Sequence, residues 1–156
     1  MKKITSIMVA VDMSDYSLPS IQYANMLAQS MGATLTLVNI YNQRDVNAVR
    51  NALEAYYDPK WFDKLVEDNF TSRREKLANW VALAGAESTV VKQIVRIGIP
   101  HRELLVIMEE EKPDLLVVVT KGRSNLADTI VGSCAGKMHR YSPVHVLSLR
   151  PSIKDQ

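Results

Sequence analysis

The sequence predicts a doubly wound α/β fold, in which a five-stranded parallel sheet carries helices on both faces. Short apolar runs rich in β-branched residues alternate with longer helix-prone segments along the chain. Such alternation requires right-handed crossover connections, which place helices on both sides of a parallel sheet. The chain has 156 residues, 47% of them hydrophobic, and a chain of this length can bury about 70% of its surface in one core. We therefore expect one domain over residues 1–150 and a polar tail over 151–156.

The first half of the chain is predicted to contain two strands and two helical regions. Residues 4–11 and 33–41 are apolar and β-branched, as buried strands require. Between them lies a helix with apolar residues at helical spacing, for which Ser17 is a candidate N-cap. Residues 45–84 are also helix-prone. The Asp-Pro-Lys stretch at 58–60 should interrupt them, because proline lacks the N–H that a helix interior needs.

The second half of the chain is predicted to contain three strands, at residues 88–97, 114–120 and 143–149. Helices are expected at residues 101–112 and in the segment that ends near Tyr141. The strand at 114–120 is almost entirely apolar, so we expect it to be central in the sheet. Ligands of such folds bind outside the carboxyl ends of the strands, where the strand order reverses.

Composition and charge exclude several classes of protein. The formal charge of +2 is too small to suggest a nucleic-acid partner. No apolar stretch approaches the roughly 20 residues that a membrane span needs, and the N-terminus does not resemble a signal peptide. The single cysteine, Cys134, allows no internal disulfide, and the three histidines do not have metal-site spacing. We therefore expect a cytoplasmic protein without a membrane span, a nucleic-acid partner or a metal site of its own.

Three of the six glycines fall in residues 120–137, the stretch that follows the fourth strand. The string is neither a P-loop nor a dinucleotide fingerprint. In one interpretation Gly132 and Ser133 open the last helix, where free N–H groups and the helix dipole suit a phosphate. In the other, Gly122 forms a turn, and Gly132 and Ser133 form a kink and an N-cap. The residues alone leave both interpretations open.

At this loop the chain resembles the universal stress protein family. The nucleotide-binding pattern of that family is G-x2-G-x9-G-[S/T], between the fourth strand and the last helix. The string "GRSNLADTIVGS" supplies Gly122, nine further residues, Gly132 and Ser133, while Val119 occupies the position of the first glycine. The strings "IMVAVDMSDYS", with Asp12, "LVNIY" and "RIGIPHRELL" also fit the family.

This resemblance implies a Rossmann-like fold of the adenine nucleotide alpha hydrolase type. In one branch of the family such a fold binds ATP at the strand ends, so we expect ATP, or AMP or ADP, with Mg²⁺ only together with the nucleotide. Asp12 would contact the ribose or adenine end, and Ala10 and Ile40 would border the adenine. Gly122, Arg123, Gly132, Ser133 and Cys134 would hold the phosphates, and the bulk of Val119 would disturb the site. The nucleotide-binding residues implied are Ala10, Asp12, Ile40, Val118, Val119, Gly122, Arg123, Gly132, Ser133 and Cys134.

The last strand is predicted to lie at a sheet edge and to pair with the same strand of a second chain, because an exposed apolar edge needs cover. The resemblance also implies such a homodimer. The residues expected at this contact are Val144, Val146, Leu147 and Leu149. Other protein partners are unknown.

The function expected is that of a dimeric stress-response or regulatory protein that binds an adenine nucleotide. No acid–base pair is evident near the glycine loop, so no catalytic residue is predicted. Two alternatives remain open, a pure interaction module without nucleotide and a weak ATPase.

Several side chains have a second, structural interpretation. Asp12 could instead cap the loop that follows its strand. Cys134 is expected to pack as a small apolar residue, although a helix N-terminus could lower its pKa and make it reactive. The bulky aromatic side chains near the predicted helix break are expected to pack in the core, or alternatively to cover a pocket or a partner. Three basic residues further along are expected to form a solvated helix face. These two groups are Trp61, Phe62 and Phe70, and Arg73, Arg74 and Lys76.

Overall fold

The computed structural model describes residues 3–120 and 133–150, which form a parallel five-stranded sheet flanked by helices. This architecture confirms the predicted fold class. In chain order the elements are β1 (Ser6–Val11), α1 (Ser17–Met31), β2 (Thr34–Asn42), α2 (Gln43–Leu53), α3 (Pro59–Leu83), β3 (Val90–Gly98), α4 (Pro100–Glu111), β4 (Leu115–Val119), α5 (Ser133–Tyr141) and β5 (His145–Leu149).

The strand order is β3-β2-β1-β4-β5, so the chain reverses direction across the sheet between β1 and β4. β5 lies at an edge, as predicted. The prediction that the fourth strand is central was wrong, because β1 occupies the centre and β4 lies between β1 and β5. β4 is apolar throughout because helices cover both of its faces, which any inner strand of such a sheet requires.

The core consists of two layers, one on each face of the sheet. Ile7 and Val9 of β1 pack with α1 and α3, whereas Met8 packs with α4 and α5. This alternation follows from the two-residue period of a strand. The layers bury the sheet on both sides and leave its ends as the places where a ligand can reach the backbone.

The ends of α1 differ in one respect from the sequence-based prediction. Ser17 is the first residue of the helix, and Tyr16 occupies the N-cap position without a side-chain hydrogen bond. The Ser17 hydroxyl instead donates to Oδ1 of Asp12 at 3.4 Å. At the other end Gly32 adopts a left-handed conformation with φ of +64°, which glycine permits without strain.

The predicted interruption of the long helical region is confirmed. Asp58 is the N-cap of α3, its carboxylate accepts a hydrogen bond of 2.9 Å from the N–H of Trp61, and Pro59 takes the first helical position. Phe62 is buried against Tyr41, as expected for a core residue. Trp61 does not pack in the core: its side chain remains 38% exposed in the first turn of α3 and lines a cavity there, which agrees with the alternative expectation.

The predicted solvated face on α3 is confirmed for Arg74 and Lys76, which are exposed, but not for Arg73. Arg73 is half-buried, and its guanidinium lies 4.1 Å from the centre of the Tyr41 ring.

Within residues 3–120 and 133–150, no helix is long and apolar enough to cross a membrane.

Candidate functional site

A cleft of about 490 Å³ opens at the carboxyl ends of β1, β2 and β4, next to the point where the strand order reverses. The first turns of α2, α4 and α5 complete its walls. The lining residues are Ala10, Val11, Asp12, Val38, Ile40, Asn42, Asp45, Pro100, Leu104, Val118, Val119, Ser133, Cys134 and Ala135. Its position is the one at which parallel α/β sheets bind ligands.

The cleft brings together seven of the ten residues predicted to contact a nucleotide. They are Ala10, Asp12, Ile40, Val118, Val119, Ser133 and Cys134. Gly122, Arg123 and Gly132 lie outside the described residues. Sequence reasoning missed the remaining lining residues. Asn42 and Pro100 could have been found, since each stands where a strand gives way to a helix, whereas Val38 and Leu104 show only an apolar pattern that any core residue shares.

One wall of the cleft is apolar. Val38, Leu104 and Val118 are buried in the core layer under α4 and α5, and Ala10 and Ile40 pack against the same layer. Small and branched side chains on neighbouring strands form an apolar surface at this point. Such a surface suits a planar aromatic ring, because contact removes apolar area from water.

Asp12 serves the local backbone and lines the cleft at the same time. Its Oδ1 accepts hydrogen bonds from the N–H of Ser14 at 3.1 Å and from the Ser17 hydroxyl at 3.4 Å. Both bonds formed with other described residues use this one oxygen. The intervening Met13 has a φ of +66°, a left-handed conformation that the side-chain bonds help to hold. The loop-capping interpretation is therefore confirmed, and it is compatible with a ligand contact through Oδ2.

A buried hydrogen-bond chain supports the floor of the cleft from behind. Arg73 Nη1 donates to Asn39 Oδ1 at 2.8 Å, and Asn39 Nδ2 donates to the carbonyl oxygen of Val11 at 2.9 Å. Asn39 is fully buried on β2. Because buried polar groups must be paired, this chain fixes the end of β1 directly before Asp12.

Val118 and Val119 occupy different environments although they are adjacent. Val118 is 4% exposed and belongs to the core layer under α4 and α5. Val119 is half-buried at the last position of β4 and lines the cleft. The residue at the family's glycine position therefore lies at the border of the cleft.

Cys134 lies in the first turn of α5 at the edge of the cleft. Burial raises the pKa of its thiol to about 11, against the lowering effect of Lys137, and Asp12 adds a smaller upward contribution. The hypothesis that the helix N-terminus activates this thiol is therefore wrong. Cys134 packs as a small apolar side chain against the core layer under α4 and α5, as first expected.

A second cavity, of about 290 Å³, lies at the turn between α2 and α3 and shares no lining residue with the cleft. The rings of Tyr57 and Trp61 stack there with centres 4.0 Å apart, and Arg50 lies over the Phe62 ring. This cavity is formed by residues of α2, of α3 and of the turn between them, and no strand residue lines it. In the described part of the chain, no group of three histidine, cysteine or carboxylate side chains could hold a metal ion.

The doubly wound sheet, with a cleft at its reversal point, defines an α/β protein of the Rossmann-like class. The sequence model of the universal stress protein family matches residues 3–150, nearly the whole chain. The chain therefore belongs to the universal stress protein family.

Two curated relatives carry the same family name. Universal stress protein MJ0577 of Methanocaldococcus jannaschii is 33% identical over 60 residues, which are 38% of this chain and 37% of that protein. Universal stress protein YxiE of Bacillus subtilis is 25% identical over 143 residues, which are 92% of this chain and 97% of that protein. The first match thus spans little more than a third of its relative, and the second spans almost all of it.

Solved structures show the same fold. The structure of MJ0577 aligns with a TM-score of 0.80 at 19% identity, over 97% of this chain and 99% of that one. A universal stress protein in complex with cAMP aligns with a TM-score of 0.61 at 26% identity, over 97% of this chain and 100% of that one. A universal stress protein from Archaeoglobus fulgidus in complex with dAMP aligns with a TM-score of 0.58 at 14% identity, over 96% of this chain and 100% of that one.

Proposed function

We propose that this protein binds an adenine nucleotide, preferably ATP, in the cleft at the ends of β1, β2 and β4. The observation that carries the proposal is the cleft itself, which combines an apolar wall with Asp12 and with the N-terminus of α5. Its volume of about 490 Å³ falls within the roughly 300–1,000 Å³ typical of small-molecule sites. Two solved relatives in complex with cAMP and dAMP support adenine as the base.

Each part of the cleft suits one part of a nucleotide. Ala10 and Ile40 offer apolar contact to the base, and the second carboxylate oxygen of Asp12 can accept a hydrogen bond from a ribose hydroxyl. Ser133 is the first residue of α5, where N–H groups without helical partners and the helix dipole favour phosphate. Mg²⁺ would enter with the phosphates, which supply the oxygen ligands that the cation prefers.

Mass spectrometry of the protein purified under non-denaturing conditions tests the proposal directly. We expect an adenine nucleotide to co-purify or, if it is lost, to bind when added in calorimetry. Gly132→Val, at the glycine that precedes α5, should abolish ATP binding with little change in thermal stability. Absence of binding by adenosine, AMP, ADP and ATP to the folded wild-type protein would refute the proposal.

The proposal includes a homodimer that acts in stress response or regulation. β5 pairs with β4 on one side, and its other edge offers unpaired backbone groups within the described sheet. Val144 and Val146 pack toward one face of the sheet, while Leu147 and Leu149 pack toward the other. Antiparallel pairing of two β5 strands about a two-fold axis would cover this edge.

Binding rather than catalysis is the activity proposed. The titratable side chains lining the described part of the cleft are Asp12, Asp45 and Cys134. The raised pKa of Cys134 keeps its thiol neutral, and Asp12 is engaged by its own loop. Steady ATP turnover that is lost in a folded Asp12→Ala variant would favour the weak ATPase instead.

A further inference from the structure

Four basic side chains from three helices lie close together, beside residues that line the cleft, and we call them the cationic rim. The four are Arg44 of α2, His101 and Arg102 of α4, and Lys137 of α5. The Lys137 ammonium nitrogen lies 3.5 Å from Nδ1 of His101, which brings α4 and α5 together at this point. The arrangement unites residues separated by more than ninety positions of sequence, since Arg44 and Lys137 belong to opposite halves of the chain.

Each member of the cationic rim adjoins residues that line the cleft. Arg44 stands between Asn42 and Asp45, which both line it. Pro100 lines it and directly precedes His101, while Lys137 follows Ser133 by one helical turn. The N-termini of α2, α4 and α5 thus point their positive dipole ends toward the same space as these four side chains.

The positive charge of the cationic rim is not neutralised by ion pairs within the described chain. Among residues 3–120 and 133–150, the ion pairs are Lys92 with Glu111 and Arg96 with Glu110, both between β3 and α4. The neighbouring Glu103 side chain lies against Gly98. Among the described residues, the carboxylates that line the cleft itself are those of Asp12 and Asp45.

The pKa of His101 reflects the positive charges that surround it. Burial lowers the pKa of its imidazole, and the positive charges of Lys137, Arg102 and Arg44 lower it further. A histidine with three cations around it is neutral near pH 7, because a fourth positive charge would be repelled. An anion bound among these groups would reverse that effect and favour protonation of His101.

We propose that the cationic rim binds the terminal phosphates of a polyphosphate chain, so that the protein prefers a nucleoside triphosphate to a monophosphate, and that His101 takes up a proton on binding. This inference rests on the proposed function, because adenosine would occupy the apolar part of the cleft and direct its phosphates outward. Lys and Arg side chains form short, strong hydrogen bonds to phosphate oxygens. The first phosphate reaches Ser133, and only a longer chain extends to Lys137 and Arg102.

Calorimetric titrations with adenosine, AMP and ATP, in metal-free buffer, test the preference for a triphosphate. Lys137→Gln and Arg102→Gln should each weaken ATP binding about tenfold, while AMP and adenosine affinities change less than twofold. Arg140→Gln, at an exposed position of the same helix α5, is the matched control and should change none of them. Equal losses for AMP and ATP, or no loss for ATP, would overturn the proposal.

Proton uptake provides a second readout. ATP binding measured at pH 7 in buffers of different ionisation enthalpy should show net proton uptake in the wild-type protein and almost none in His101→Asn. ATP affinity should also rise as the pH falls toward 6, because protonated His101 adds a fourth positive charge. The same uptake in His101→Asn would refute the role of this residue.

Inorganic tripolyphosphate separates failure of this inference from failure of the proposed function. It should bind the wild-type protein and bind Lys137→Gln more weakly, whether or not adenosine binds. Binding of tripolyphosphate without any binding of adenosine would refute the nucleotide site but would support phosphate binding by the cationic rim. Absence of tripolyphosphate binding, or equal binding by wild type and variant, would refute the cationic rim.

Discussion

Arg73 of α3 donates a hydrogen bond of 2.8 Å to the side-chain oxygen of Asn39, a fully buried residue of β2. Asn39 in turn donates to the carbonyl of Val11, the residue before Asp12. Through Asn39, the half-buried Arg73 thereby holds the end of β1, which borders the candidate site. The guanidinium also lies over the Tyr41 ring, so it combines a hydrogen bond with a cation–π contact.

Replacement of Arg73 by alanine should therefore destabilise the fold. The change leaves the side-chain oxygen of Asn39 buried without this donor, which costs about 1–3 kcal/mol in the free energy of unfolding. Arg74→Ala, at the exposed neighbouring position, should change stability by less than about 0.5 kcal/mol. Urea denaturation of both variants measures the difference. Equal stabilities would show that the hydrogen-bond chain behind the cleft contributes nothing.

The thiol of Cys134 should react slowly in the native protein. With its pKa raised from 9.0 to about 11 by burial, the thiolate fraction at pH 8 is about 100-fold smaller than in the unfolded chain. Alkylation by iodoacetamide, followed by mass spectrometry in native and denaturing buffer, should show a difference of at least that order. Comparable rates in the two buffers would contradict the burial of this group.

The same shift of pKa makes stability depend on pH at the alkaline end. Below pH 9 the thiol is protonated in both states and has no effect. Above pH 9 the unfolded chain releases the proton while the native state retains it, so the free energy of unfolding falls by about 2–3 kcal/mol by pH 11. Cys134→Ala should remove this part of the slope in denaturation curves recorded from pH 8 to 11. An unchanged slope would assign the loss to other groups.

Val119 is expected to obstruct the nucleotide. It lines the cleft at the position where the family pattern has glycine, so Val119→Gly should tighten ATP binding by about 1 kcal/mol, roughly fivefold. The variant should also be less stable, because it loses apolar contact and gains chain entropy. Val117→Gly, at a fully buried position of the same strand that does not line the cleft, should lose more stability without any gain in affinity. Unchanged or weaker ATP binding by Val119→Gly would show that the valine does not obstruct the site.

Dimerisation through β5 is expected to respond to charge at the middle of that strand. Leu147 is the central residue of β5 and would lie near the two-fold axis, so Leu147→Glu places two like charges close together. Sedimentation should show a dimer for the wild-type protein and a monomer for this variant, with circular dichroism confirming that it folds. Val91→Glu, on the opposite sheet edge where the side chain is 65% exposed, should remain dimeric. A wild-type monomer at high micromolar concentration would refute the dimer.

The sequence by itself determined the order of strands and helices and the positions of Ala10, Asp12 and Ile40 at the strand ends. These features follow from local patterns, the two-residue period of a strand and the turn residues after it, which are readable without knowledge of the fold. The interruption at Pro59 was predictable for the same reason, since the missing N–H of proline acts on its own helix.

Only the tertiary structure decided which of these local elements meet. Arg73 and Asn39 are 34 residues apart, and nothing near Arg73 in the sequence distinguishes it from its exposed neighbour Arg74. The central place of β1 and the gathering of Arg44, His101 and Lys137 around one cleft have the same origin. Such contacts depend on how helices pack across the two faces of the sheet, and a local pattern of polar and apolar residues records the face of a helix but not its neighbour.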